Sequence, residues 1–143
     1  MDDRFAPQPV ARWYWIAATI SLLLMILPAL GAAIHLTTDP ATLPLDERVQ
    51  YEAEPIWMVA AFGLTGLAGA VGALMLILRR RQAETLILVS LVGIAVWFVG
   101  LFVNAQLRDL LSTGQIAMAI IVVAIVWTIY WFARHSRQRG WLS

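Results

Sequence analysis

Four long apolar runs, Trp13–Ile34, Pro55–Leu78, Thr85–Val103 and Ile116–Ala133, leave this chain few ways to fold. At about 1.5 Å of rise per residue, helices of these lengths reach roughly 27–36 Å, against a bilayer hydrocarbon core of about 30 Å. Inside lipid every backbone amide and carbonyl must bond within the protein, so only helices or closed barrels cross. None of the runs alternates apolar with polar residues as a barrel strand does. The reading is an all-α integral membrane protein: four transmembrane helices in a single compact bundle, one domain over residues 1–143. Composition agrees with it. The chain is 61% hydrophobic and 13% charged, with a mean hydropathy of +0.77, where a soluble domain has about 45–50% and about 25%. Disorder is excluded on the same grounds. The absence of cysteine removes disulfides, thiolate metal sites and thiol catalysis, and a net charge of +1 offers no basic face to nucleic acid.

Arginine carries all the strong basic charge, and its placement sets the expected orientation. Arg4 and Arg12 precede the first span, Arg79, Arg80 and Arg81 join the second to the third, and Arg134, Arg137 and Arg139 follow the fourth. Only Arg48 and Arg108 fall on the other side, so the positive-inside rule puts both termini in the cytoplasm. Trp13, Tyr14 and Trp15 open the first span and Trp127, Tyr130 and Trp131 close the fourth, as an interfacial aromatic belt requires. Exclusive use of arginine, with many alanines, suggests a GC-rich bacterial genome and hence the bacterial inner membrane. The first span ends near Pro28-Ala29-Leu30-Gly31, much as a secretion signal would, but is expected to stay as a helix. The two arginine clusters, Arg79, Arg80, Arg81 and Arg134, Arg137, Arg139, are also candidates to hold anionic lipid headgroups, at about 1 kcal/mol per side chain.

Local signals mark the helix ends. Ser112 and Gln115 form a capping box ahead of the fourth span. Pro55 suits the first turn of the second, and Glu54 complements its positive end. Pro28 predicts a bend near Leu24–Leu27. Residues 36–54 form an acidic outside loop in which Leu45 and Val49, four apart, predict a short amphipathic helix on the membrane surface. The second span carries Gly63, Gly66, Gly69 and Gly72 with Ala70 and Ala73. Gly63, Gly66, Ala70 and Ala73 share one face, and Thr65, Gly69 and Gly72 a second. Small residues let membrane helices approach closely, so two smooth faces imply two close neighbours. A central place in one bundle is the favoured explanation; a neighbour from another subunit is the alternative.

The spans contain no charged side chain, which weighs against ion-coupled transport and intramembrane hydrolysis. Their hydroxyls, Thr19, Ser21, Thr65, Thr85, Ser90 and Thr128, read as structural. Polar residues gather on the outside: His35, Asp39, Tyr51, Glu52, Glu54, Trp57, Asn104 and Gln106 could converge on a shallow site of the kind that binds a sugar. The competing reading is a set of ordinary polar helix ends with Trp57 as a membrane anchor. No catalytic residue, metal ligand set or cofactor motif is found.

Tyr51, Pro55, Trp57, the Gly69/Gly72 helix, Leu76-Ile77-Leu78-Arg79-Arg80-Arg81, Ala83 and Ser90-Leu91 together resemble a group of small four-helix bacterial membrane proteins described as hypothetical or as sugar transporters. The resemblance covers spans two and three and implies the four-span architecture and sugar transport. The residues themselves point to a non-catalytic accessory or assembly component, packing through its small-residue faces in a homo-oligomer or larger membrane complex. The alternative function is an uncoupled transporter of a small neutral solute such as a sugar, acting as an oligomer.

Overall fold

A computed structural model describes residues 9–143; Arg4 lies outside them. The described chain is all-helical. Its elements are α1 (Arg12–Thr37), a 3-10 turn (Pro40–Thr42), α2 (Leu45–Ala53), α3 (Ile56–Ile77), α4 (Gln82–Val103), α5 (Ala105–Leu110) and α6 (Thr113–Gln138). Four of these, α1, α3, α4 and α6, are long and apolar enough to cross a membrane, the make-up of a multi-pass membrane protein. Their outer surfaces agree: Ile16, Ile20, Leu23, Leu27, Leu30 and Ile34 of α1 and Ile120, Ile121, Trp127 and Trp131 of α6 are all exposed. In water such faces would aggregate; in lipid they meet their own kind.

α3 packs along both α1 and α4, and α6 packs on α4. The glycines of α3 decide this arrangement. A Cβ on Gly66 would lie 2.5 Å from the backbone N and Cα of Ala29, beside the buried Pro28 of α1, so only glycine admits so close an approach. Gly63 faces Ala32 on the same helix. On the other face Gly72 abuts Ile87 and Leu86 of α4, while Gly69 meets both Met25 of α1 and Ser90 of α4. α4 returns the fit, since Gly93 sits over Thr65 and Gly100 over Trp57 and Met58. Both small-residue faces of α3 are therefore occupied within the chain, and neither is free for a second subunit.

One hydroxyl bonds across this packing. Ser90 Oγ donates across to the Thr65 carbonyl at 2.7 Å, while Thr19, Ser21, Thr65 and Thr128 bond back to the carbonyls four residues earlier in their own helices. α1 and α6 flank the α3–α4 pair. A groove of about 530 Å³ separates their middles, lined by Ile20, Leu24, Ile121 and Ile125.

The two ends of the molecule differ in chemistry. At the arginine-rich end the Tyr14 hydroxyl donates to the Leu76 carbonyl at 2.5 Å, and Tyr14 packs on Phe132 and Trp141. α6 ends at Gln138, and Gly140, with a φ of 70°, turns the chain back and buries Trp141 and Leu142. Arg79 Nε then donates to the Trp141 carbonyl, and Ser143 exchanges backbone bonds with Arg79 and Arg81. Arg137 pairs with Glu84 at 2.6 Å. Two of the arginines expected to meet lipid headgroups, Arg79 and Arg137, thus have partners inside the chain.

At the acidic end α2 forms where the loop reading expects it, with Leu45 75% exposed on its outer side. The capping box is present, Ser112 Oγ accepting from the Gln115 amide and the Gln115 side chain accepting from the Ser112 amide. α5 is a turn and a half that the hydropathy pattern gives no sign of. α1, α4 and α6 outrun their apolar runs because polar turns extend them, α1 to Thr37, α4 back to Gln82 and α6 to Gln138, whereas α3 stays within its run at Ile56–Ile77.

Candidate functional site

At the acidic end polar side chains from several helices meet beside a cavity. His35 sits in the last turn of α1, and Tyr51 in the last turn of α2 stacks on it, ring centroids 4.2 Å apart and planes within 22°. The Tyr51 hydroxyl donates to the His35 carbonyl at 2.8 Å, fixing α2 against the end of α1. Glu54 caps α2 just before Pro55 begins α3. Proline cannot continue the helix of α2, and the extended backbone at Glu54 swings its side chain inward. Glu54 Oε1 accepts from the indole Nε1 of Trp97 on α4 at 3.1 Å, and Oε2 lies 3.9 Å from His35 Nε2. One carboxylate therefore faces α1 and α4 together. The side chains of His35 and Glu54 are only 25% and 20% exposed.

These residues wall a cavity of about 550 Å³ between α2, α4, α5 and α6. Glu47, Gln50 and Gln115 add polar groups, and Gln115 Nε2 donates to Gln50 Oε1 at 3.0 Å, joining the start of α6 to α2. Phe62, Leu101, Leu107, Met118 and Val122 make up much of the remaining lining. The trio His35, Glu54 and Trp97 also borders a smaller cavity of about 150 Å³ with Gly31, Ala32 and Val59. Trp97 leans on Phe62, centroids 5.2 Å apart.

Of the eight polar residues expected to converge, the structure brings His35, Tyr51 and Glu54 together. Asp39 instead caps the 3-10 turn, accepting from the Ala41 amide. Glu52 pairs with Arg48 on the exposed face of α2 at 3.0 Å. Trp57 lies across Gly100 and borders a shallow apolar depression with Val96 and Val99, away from the cavity. Asn104 caps α5, accepting from the amides of Gln106 and Leu107, and reaches the Ala53 carbonyl at 3.4 Å. Gln106 lines a separate surface depression with Glu52 and Val49. The sequence reading missed Trp97, Gln50, Glu47 and Gln115. Trp97 was hidden as one more aromatic inside an apolar span. Its one cue was an indole N–H at membrane depth, which needs an acceptor.

The arrangement offers a carboxylate, an imidazole and aromatic faces over an apolar floor. Tyr51 supplies the only hydroxyl among the residues lining the larger cavity, and it is already bonded to backbone. Among the described residues no three His, Asp or Glu side chains come together as metal ligands. No protein-family model, curated protein or solved structure matches the chain. The resemblance to small bacterial four-helix proteins therefore rests on its own residues.

Proposed function

We propose that this chain is a non-catalytic membrane component that holds a small solute in the cavity at its acidic end. In this reading it spans a bacterial inner membrane with both termini in the cytoplasm and the cavity facing outward. One observation carries the proposal: Glu54. Glu54 lies just outside the spans, yet this carboxylate is drawn in from solvent, shared between an indole and an imidazole of two other helices, and left bordering two cavities. Its place gives the Trp97 indole an acceptor and leaves the carboxylate at the cavity wall, where a ligand would reach it.

An accessory role in a homo-oligomer or larger complex would use the outer faces of α1, α4 and α6, since both small-residue faces of α3 are filled. Arg80, Arg81, Arg134 and Arg139 would meet anionic lipid headgroups at the cytoplasmic surface. The test is a thermal-shift screen of the purified protein against amines, sugars, amino acids and carboxylates. A true ligand at 100 times its Kd stabilises by about 2.7 kcal/mol. Glu54→Ala is expected to remove the shift. A panel with no stabilising member would sink the proposal.

A second reading is the uncoupled transport of a small neutral solute such as a sugar by an oligomer, whose subunits would meet across the apolar groove between α1 and α6. Passage would require the aromatic closure around Tyr14 and Trp141 to part. Solute flux into liposomes that rises in Trp141→Ala would support it, and flux indistinguishable from empty liposomes would remove it.

A further inference from the structure

We propose that the ligand of the acidic-end cavity is an organic cation, a protonated amine carried on a compact apolar body. This rests on reading the cavity as a ligand site and names the chemistry that enters it. The first argument is charge. Glu47 and Glu54 line the cavity and His35 is the only lining residue able to carry positive charge; no arginine is among them. The lining is thus negative whether His35 is protonated (−2 + 1) or neutral (−2).

The second argument is unused acceptor capacity. An ionised carboxylate has about four acceptor positions. Glu54 receives one hydrogen bond, from Trp97, while His35 Nε2 at 3.9 Å stands outside hydrogen-bond range. Positions remain for a donor arriving through the cavity. Aromatic rings stand nearby: Tyr51 and His35 stacked on each other, and Trp97, its indole N–H on Glu54, beside Phe62. An ammonium donor held by the carboxylate would keep its apolar body against these rings.

The third argument separates an amine from a sugar. Beside the polar groups the lining includes Leu101, Leu107, Met118 and Val122, none of which can bond a hydroxyl. A sugar bears donors and acceptors on nearly every carbon and would leave several unpaired against this floor. An amine concentrates its polarity at one end and leaves an apolar body to fill the rest.

The experiment is isothermal titration of the full chain in lipid nanodiscs, corrected with empty nanodiscs. The probes are 2-phenylethylamine, 2-phenylethanol and glucose; the first two share one body and differ in the headgroup. The amine is expected to bind roughly tenfold or more tightly than the alcohol. Glu54→Gln keeps an acceptor for Trp97 and should cost the amine roughly tenfold while leaving the alcohol unchanged. Glu47 is exposed, so Glu47→Gln will not disturb the fold, and its removal should weaken the amine by about two- to threefold. That variant decides the question if Glu54→Gln does not fold. Equal binding of amine and alcohol, or amine binding indifferent to both substitutions, overturns the cation while leaving a ligand site. Glucose binding without amine binding does the same. Silence from all three probes together with an empty thermal-shift screen overturns the site itself.

Discussion

At the scale of single residues the molecule turns on clearance. Gly66 and Gly63 lie three apart on the same face of α3, yet they meet α1 very differently. A methyl on Gly66 would press into the Ala29 backbone at 2.5 Å, which cannot yield without moving the helix, whereas one on Gly63 would touch the Ala32 Cβ at an ordinary 3.8 Å. Gly66→Ala should therefore destabilise by about 1–3 kcal/mol, as overpacking does. Gly63→Ala should be neutral or stabilise by up to about 1 kcal/mol, because glycine is the poorer helix former. Unfolding by SDS titration in mixed micelles measures both. Equal midpoints for the two variants would mean that close approach of α1 and α3 is not what holds the fold. Gly140 differs in kind: it has open space around it but a φ of 70°. Gly140→Ala should cost about 1 kcal/mol through backbone strain alone, and the same titration reads it.

Among the elements, those defined by hydropathy and those defined by caps have separate fates. The four long helices were legible in the sequence because lipid demands a continuous apolar run. The start of α6 was legible because Ser112 and Gln115 satisfy amides that nothing else can reach. α5 was not, because a six-residue helix is held by tertiary contacts, with Leu107 buried beneath it and Asn104 capping it. The candidate site was half legible for a related reason. His35, Tyr51 and Glu54 could be picked out as polar groups at span ends, but Glu54 and Trp97 are 43 positions apart and meet only because α3 and α4 pack closely. Trp57 misled because Pro55 separates Glu54 from α3, so helical spacing does not carry from one to the other. Asn104 also changes role on inspection, from a ligand candidate to a cap. Asn104→Ala should then destabilise by about 1 kcal/mol, as the loss of a cap does, and leave any binding at the Glu54 cavity at wild-type affinity. A loss of affinity without a loss of stability would return Asn104 to the site.

Over the whole molecule, the two ends are asymmetric in both charge and closure. One end gathers Arg12, Arg79, Arg80, Arg81, Arg134, Arg137 and Arg139 and is shut by Tyr14, Phe132 and Trp141; the other carries the acidic α2 and the open cavity. If the arginine bias sets orientation, the cavity must face away from the cytoplasm and sample solutes from outside the cell. The reversed orientation would present the same Glu54 cavity to cytoplasmic solutes and leave the arginines stranded outside. The chain contains no cysteine, so single cysteines can be placed without a background. Thr42 in the acidic-end loop and Gln138 at the end of α6 are both exposed and far from the glycine contacts. With a membrane-impermeant maleimide on intact bacteria expressing each variant, Thr42→Cys should label at once. Gln138→Cys should label only after the inner membrane is permeabilised. The opposite pattern would invert the topology and, with it, the compartment from which an organic cation reaches Glu54. Labelling of both variants on intact cells would mean a mixed orientation. The arginine clusters, two of whose members are already tied to Trp141 and Glu84, would then be too weak a signal to set direction alone.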